Sequence, residues 1–339
     1  MSRSWDGENW MSDRAEQLGD RPLSQLRIPG THDAGTFSIP STGAVIAAAQ
    51  DDAGTAQLAG IPEDFVIGTQ LTQNATFTEQ FNAGMRYLDV RVVCEPDGMF
   101  IVHTFRGMPI ADALTEIAAW STAHPNEVIF LDMQKNYGCS SQMYSGANSE
   151  PILGNDLLTQ LFDHAFGSHL AKRPETADSK TTLNALVAAE TNVVPFFIDM
   201  EFAQRSDIWW LRSSNAFPPG AGMTNVWDPR TTMPEMFTFL AAHGPTYAER
   251  GASQLLLASV ATSPMFPKET GIATWYSDWK AGHQVATLQE FIESTVLPDM
   301  PGMVAALAQA GYNILSTDYY NLGNWPDGVS FAQLVVDQN

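Results

Sequence analysis

The segment LRIPGTHDAGT (residues 26–36) ends a short apolar run on His32 and Asp33, and MFIVHTFRG (99–107) ends another on His103. Between them, MRYLDVRVV (85–93) sets Asp89 and Arg91 two residues apart. Side chains alternate across a strand with period two, so Asp89 and Arg91 share a face. Two histidines, two carboxylates and an arginine at the ends of early strands form a set suited to acid–base chemistry on a phosphate.

Outward from these segments the pattern repeats. Short apolar runs such as EVIFLDMQ (127–134), VVPFFIDM (193–200), QLLLASV (254–260) and YNILSTD (312–318) are each followed by polar residues, glycine or proline. They predict strands over 26–33, 85–93, 99–105, 127–134, 192–199, 224–227, 253–260 and 312–318. Helical stretches fall between them at 110–123, 153–166, 182–190, 231–242 and 287–309. This alternation predicts an α/β chain folded as a TIM-type (β/α)8 barrel, closed or distorted and incompletely closed, with residues 1–339 forming a single domain. Such barrels carry their chemistry at the C-terminal ends of the strands. His32 and Asp33 close the first run, Asp89 and Arg91 the second, His103 the third, and Gln134 and Lys135 the fourth. Asp199 closes the fifth, Asp228 follows the sixth and Asp318 ends the eighth.

Composition narrows the classes. Hydrophobic residues make up 44% and charged residues 16%, enough for a sizeable core. A net charge of −21 with only 17 Lys and Arg argues against nucleic acid, which needs basic patches. It also argues against docking on anionic lipid by charge alone. No apolar run reaches the ~18 residues of a spanning helix, and the opening MSRSWDGENWMSDR lacks the apolar core of a signal peptide. The chain is therefore read either as not exported or as a mature secreted form. Cys94 and Cys139 permit one disulfide, with two free thiols the alternative.

The chain resembles the phosphatidylinositol-specific phospholipase C family, in particular its small single-domain bacterial members. The resemblance is carried by IPGTHDAGT (28–36), TQNATFTEQFNAGMRYLDVRVV (72–93), FIVHTFRG (100–107), HPNEVIFLDMQKNYG (124–138) and GYNILSTDYYNLGNW (311–325). It implies cleavage of phosphatidylinositol to diacylglycerol and inositol 1,2-cyclic phosphate. It assigns His32 as general base oriented by Asp318, His103 as general acid supported by Asp33, and Arg91 to the phosphoryl oxygens. Asp228 sits where the family places a ring-binding aspartate. Asp199 stands where bacterial relatives carry a basic residue, and Gln134 or Lys135 takes another inositol contact. Tyr319 and Tyr320 are the nearest aromatic candidates for stacking on the sugar.

Within the resemblance the metal question has two answers. Metal-free members place an arginine where calcium-dependent members place an acid, and Arg91 takes that place. Asp33 and Asp89, with Asp132 or Asp199, still leave oxygen ligands, so Ca²⁺ is the possible cofactor, with Asp33 and Asp89 as its first ligands. The substrate lies in a membrane, so a short interfacial helix in IPSTGAVIAAAQ (39–50), exposing Val45 and Ile46, is expected at the rim. Trp275 and Trp279 in TWYSDWK (274–280) are a second rim candidate. The resemblance implies a monomer, and secretion is expected from where the substrate lies. Two competing readings are a glycerophosphodiester phosphodiesterase, whose His-Arg-Gly opening is absent, and a catalytically inactive lipid-binding barrel.

Overall fold

The computed structural model describes residues 5–47, 60–145, 150–174, 181–214, 223–226, 233–250, 255–260, 271–322 and 328–339. Twelve strands appear among them. They are β1 (Ile28–Thr31), β2 (Tyr87–Glu95), β3 (Gly98–His103), β4 (Phe105–Pro109), β5 (Ile129–Tyr137) and β6 (Met143–Ser145), followed by β7 (Pro151–Leu153), β8 (Val193–Phe197), β9 (Trp210–Ser214), β10 (Met223–Val226), β11 (Leu255–Val260) and β12 (Ile314–Thr317).

Eight of these strands run parallel in the order β1, β12, β11, β10, β9, β8, β5, β2. The two ends of that series also meet, with Gly30 opposite Tyr87 and Thr31 opposite Leu88. This seam is short, and so is the β8–β9 pairing, where only Phe196 and Phe197 find partners. The result is a distorted α/β barrel, as the sequence predicts.

Two strands differ from expectation. The run 99–105 does not join the wall; β3 pairs antiparallel with β2, and β4 folds back antiparallel on β3. Only Pro96 and Asp97 separate β2 from β3, and a parallel neighbour needs a crossover of about a dozen residues. The Asp97–Gly98 step is a hairpin signal in its own right. The vacant wall position is filled by β9, whose WLRSS reads poorly as a strand because a charged residue interrupts its apolar run. The helix expected over 287–309 is also segmented, with a wide π turn at Ile292–Val296 and a tight one at Leu297–Asp299 before Met300–Gln309.

Strand alternation sorts the side chains. Leu88, Val90 and Val92 point outward, into a cluster with Leu114 and Ile117 of the helix Ile110–Ala123 and Leu158 of the helix Gly154–Phe166. Tyr87, Asp89 and Arg91 form the opposite, inward column. The interior below them is apolar, with Ile28, Phe130, Phe196, Trp210 and Ile314 in one cluster. On the far side, β12 packs through Leu315 against Met303, Val304 and Leu307 of the last long helix. Trp275 belongs to this buried cluster at 4% exposure, so it does not serve as a rim residue.

The end of β2 is tied to the turn after β5 by a Cys94–Cys139 disulfide. Gly154 starts its helix directly against this bridge; a Cβ there would lie 2.9 Å from the Cys94 Sγ. The bridge closes a loop with a sequence separation of 45. Replacing both cysteines by alanine is expected to lower stability by about 2–4 kcal/mol, chiefly by freeing the unfolded chain. Urea unfolding measures this, and an unchanged free energy would mean that the bridge stabilises nothing.

Candidate active site

His32 follows β1 directly, where Thr317 at the end of β12 accepts its backbone N–H at 3.2 Å. Asp318 comes next on that neighbouring strand. Its Oδ1 lies 2.8 Å from His32 Nδ1. On the other side of the ring, Arg91 Nη2 lies 2.9 Å from His32 Nε2. A guanidinium only donates, so His32 Nε2 is the acceptor and Nδ1–H donates to Asp318. Once the ring loses its second proton, this arrangement holds the neutral imidazole in one tautomer.

Asp33 sits between the two histidines. Its Oδ2 is 3.5 Å from His32 Nε2 and 3.4 Å from His103 Nε2. Arg91 Nε is in ion-pair contact with Asp33 Oδ1 and donates to Gln134 Oε1 at 2.9 Å. Asp89 stands below, its Oδ2 3.8 Å from both Arg91 Nη2 and His32 Nε2. His103 Nδ1 lies 2.6 Å from the Gln70 carbonyl, which fixes Nδ1–H as a donor and turns Nε2 toward Asp33. The antiparallel β3 thus brings His103 over the rim, although it is no part of the wall.

Gln134 reaches the site through a β-bulge. Val90 faces Met133 across the β2–β5 ladder but Arg91 faces Lys135, so Gln134 is the extra residue. The bulge turns Gln134 inward and leaves Lys135 exposed. Of the two expected inositol contacts, only Gln134 joins the cluster. Asp199 is also exposed, and its Oδ1 accepts from the Phe202 N–H at 3.0 Å, which caps the helix Met200–Ala203. It is a helix cap and not a member of the cluster. Tyr319 and Tyr320 pack in the apolar cluster outside β12, so neither ring is free to stack on a sugar. Asp228 lies outside the described residues.

Sequence reasoning offers Asp132 only as a spare oxygen ligand and misses its partners, and it misses a second group altogether. Beneath Asp89, Asp132 Oδ2 accepts from Tyr87 Oη at 2.6 Å and from Arg212 Nε at 2.7 Å, all three fully buried. Tyr87 was findable, because it shares the face of Asp89 and Arg91. Arg212 sits on the unrecognised β9. The second group, Gln70, Thr72 and Gln73, gives no chemical signal in sequence because amides and hydroxyls are common in loops.

The electrostatics split the histidines. Burial works to lower the His32 pKa, but Asp33 and Asp318, with the Asp318 hydrogen bond, outweigh it and push it up to about 9; Arg91 opposes them. For His103 burial prevails and lowers the pKa, against the pull of Asp33. Burial opposes ionisation of Asp33, yet Arg91 and both histidines hold it below the usual carboxylate range. Burial, with help from Asp33, raises Asp89 to about 7 although Arg91 opposes it.

The His32 shift has a measurable sign. A folded pKa above the unfolded ~6.5 means stability that is fully present below about pH 6.5 and lost as pH rises through about 9. The wild type is expected to lose more stability across this window than Asp318→Asn. Urea unfolding at about pH 6 and about pH 9.5 checks this, and equal losses would remove Asp318 as the cause.

Among the described residues, the three groups within ligating reach of one another are His32, Asp33 and Asp89. Two carboxylates and a nitrogen fall well short of the six to eight oxygens Ca²⁺ takes, and Arg91 already lies against both carboxylates. Among the described residues, the side-chain donor set falls short of a Ca²⁺ shell.

The fold and site define a distorted α/β barrel with two histidines bridged by a carboxylate beside a buried arginine. Residues 57–209 match the family PI-PLC X. The chain is similar to mouse PI-PLC X domain-containing protein 2, 25% identical over 337 residues covering 98% of this chain and 87% of the relative. Mouse PI-PLC X domain-containing protein 1 is 30% identical over 215 residues, 60% of this chain and 57% of that protein. In structure the chain is similar to the phosphatidylinositol-specific phospholipase C of Staphylococcus aureus (TM-score 0.62, 16% identity, 98% of each chain covered). It is also similar to that of Listeria monocytogenes (TM-score 0.59, 14% identity, 99% of each chain covered). At such identities these two structures establish the fold alone. The resemblance drawn from sequence agrees with these findings: residues 57–209 match the PI-PLC X family, and the fold is the barrel of the bacterial phospholipases C.

Proposed function

We propose that the chain is a phosphatidylinositol-specific phospholipase C acting by general base and general acid catalysis. The observation that carries this is Asp33, with His32 Nε2 at 3.5 Å and His103 Nε2 at 3.4 Å on the same oxygen and Arg91 on the other. The histidines flank one small volume with a cation at its edge, which suits a phosphodiester between an attacking and a leaving oxygen.

A phosphate anion entering there draws Arg91 from His32 Nε2 to its non-bridging oxygens, where a planar fork fits. Nε2 is then free to take the proton of the inositol 2-hydroxyl. The hydroxyl oxygen bonds to phosphorus, the bond from phosphorus to the diacylglycerol oxygen breaks, and His103 gives that oxygen a proton. The products are diacylglycerol and inositol 1,2-cyclic phosphate. His32 acts as base through its neutral fraction, which grows as pH rises toward about 9, and a lowered pKa makes protonated His103 the stronger acid. The phosphate charge beside His103 favours its protonated form before transfer. Asp318 holds the tautomer of His32, and Gln134 holds Arg91 through Nε.

The membrane contact we assign to Val45, Ile46 and Trp279, which are 55%, 40% and 39% exposed. Val45 and Ile46 do not form the expected helix in their described part; Ile46 bridges Phe105 in an extended pairing. Residues 48–50 of that stretch lie outside the described residues. The disulfide supports an oxidising compartment and so a secreted protein.

The test is turnover of phosphatidylinositol in mixed micelles with EGTA or with added Ca²⁺, followed by ³¹P NMR. Cyclic inositol phosphate at equal rates in both is expected. A non-cyclic glycerophosphoinositol product would point to the other diesterase class, and lipid binding without turnover would sink the enzyme reading.

A further inference from the structure

Asp33, Thr104 and Tyr319 have positive φ angles of 44°, 62° and 44°. Each directly adjoins an active-site residue: Asp33 follows His32, Thr104 follows His103 and Tyr319 follows Asp318. For residues with a side chain this backbone is strained and persists only where the surroundings hold it. What holds it is the same in all three cases. Thr72 Oγ1 lies 3.1 Å from the Asp33 carbonyl and 3.0 Å from the His32 carbonyl. Thr104 Oγ1 donates to Gln70 Oε1 at 2.9 Å. The Tyr319 N–H donates to the Thr72 carbonyl at 2.7 Å. Gln73 Nε2 donates to the His32 carbonyl at 3.1 Å and the Thr317 carbonyl at 2.9 Å, joining β1 to β12 where their two side chains meet.

The hydrogens of this network run in one direction. Thr36 Oγ1 accepts the backbone N–H groups of Thr72 and Gln73 at 3.1 and 3.0 Å. Its own hydroxyl hydrogen is therefore free for Thr72 Oγ1 at 2.8 Å. The Thr72 hydroxyl then serves the His32 and Asp33 carbonyls. Thr36, Thr72 and Gln73 are at most 1% exposed, so water does not compete for these bonds.

We propose that the buried stretch Gln70–Gln73 is a strap that sets the geometry of both histidines, with Thr72 and Gln73 as positioning residues for the reaction proposed above. They touch no substrate. They act by fixing the His32 backbone relative to Asp318, and the Gln70 carbonyl acts by selecting the His103 tautomer. His32 is faced by Asp33, Asp89, Arg91 and Asp318, so a small rotation of its ring exchanges one strong partner for another.

The test uses the full chain with ¹⁵N-histidine. Thr72→Val and Gln73→Met remove the donors at nearly constant volume, and Thr72→Ser keeps the hydroxyl. In Thr72→Val and Gln73→Met, the ring ¹⁵N shifts of His32 are expected to report a mixed tautomer and a pKa displaced toward the ordinary ~6.5. Turnover is expected to fall by about 10- to 100-fold in kcat with KM little changed, as for a misplacement of about 1 Å. Thr72→Ser is expected to restore both readouts. Folded variants with wild-type His32 shifts and kcat would overturn the proposal. If Gln73→Met does not fold, the Thr72 pair decides alone. The ring shifts need no substrate, so a wild type inactive on phosphatidylinositol defeats the functional reading while the strap is still judged by NMR.

Discussion

Replacing His32 by alanine is expected to lower turnover of phosphatidylinositol by about 10²–10⁴-fold, the usual worth of one general base. The loss should fall on kcat, because the membrane contact proposed above uses Val45, Ile46 and Trp279 and not the buried imidazole. Asp318→Asn offers a sharper version of the same result. Its amide keeps the shape of the carboxyl but presents an N–H to His32 Nδ1, which now lies 2.8 Å from a carboxylate oxygen. The imidazole then carries its proton on Nε2, where the inositol hydroxyl must deliver one, and a loss of the same order is expected. Initial rates across pH, with vesicle sedimentation as the binding control, check both. A His32→Ala variant within threefold of wild type would remove His32 from the reaction.

Replacing Arg212 by methionine is expected to cost about 3–5 kcal/mol of stability. Arg212 and Asp132 are both fully buried, and their Nε to Oδ2 contact of 2.7 Å is the charge compensation for Asp132. With the cation gone, Tyr87 Oη alone serves that carboxylate. Burial already raises the Asp132 pKa and Arg212 opposes it, so removing Arg212 raises it further. The variant should accordingly recover part of its loss as pH falls and Asp132 takes up a proton. Adding Asp132→Leu should recover most of the loss at neutral pH, because a matched apolar pair leaves no orphan charge. Urea unfolding of the single and double variants at two pH values measures this. Equal losses in both would show that the pair carries no special coupling.

The strand ends of β1, β2 and β12 could be read directly from sequence, since each is an apolar run stopped by residues that an apolar wall does not need. Period two placed Asp89 and Arg91 together on the inner face, and the structure brings both to His32 and Asp33. His103 was placed in the site for a reason only half right. It was read as the end of a wall strand, whereas the two residues between β2 and β3 force a hairpin. The ring position it vacates belongs to β9, hidden because Arg212 breaks its apolar pattern, and burial of that arginine depends on an aspartate 80 residues away. Trp275 was read as a headgroup aromatic, yet the carbonyl of Val285 takes its indole N–H and apolar neighbours cover the ring. Asp199 and Lys135 were read as site residues by position; a helix cap and a one-residue bulge send them elsewhere. The burial of Arg212 and the β2–β5 bulge depend on partners distant in sequence, which local patterning does not encode, whereas the Asp199 cap and the β2–β3 hairpin are set locally.

The hydrogen bond from His32 to Asp318 spans 286 residues. The base is at one edge of the β1–β12 contact and its orienting carboxylate at the other, so the pair comes into being only when these two strands dock. Before β12 is synthesised, a chain on the ribosome already carries His32, Asp33, Arg91 and His103, but its base has no tautomer imposed on it. On the reading proposed above, chemistry is thereby coupled to completion of folding: a nascent, truncated or misassembled chain lacks the oriented base, and full activity is expected only with the finished molecule.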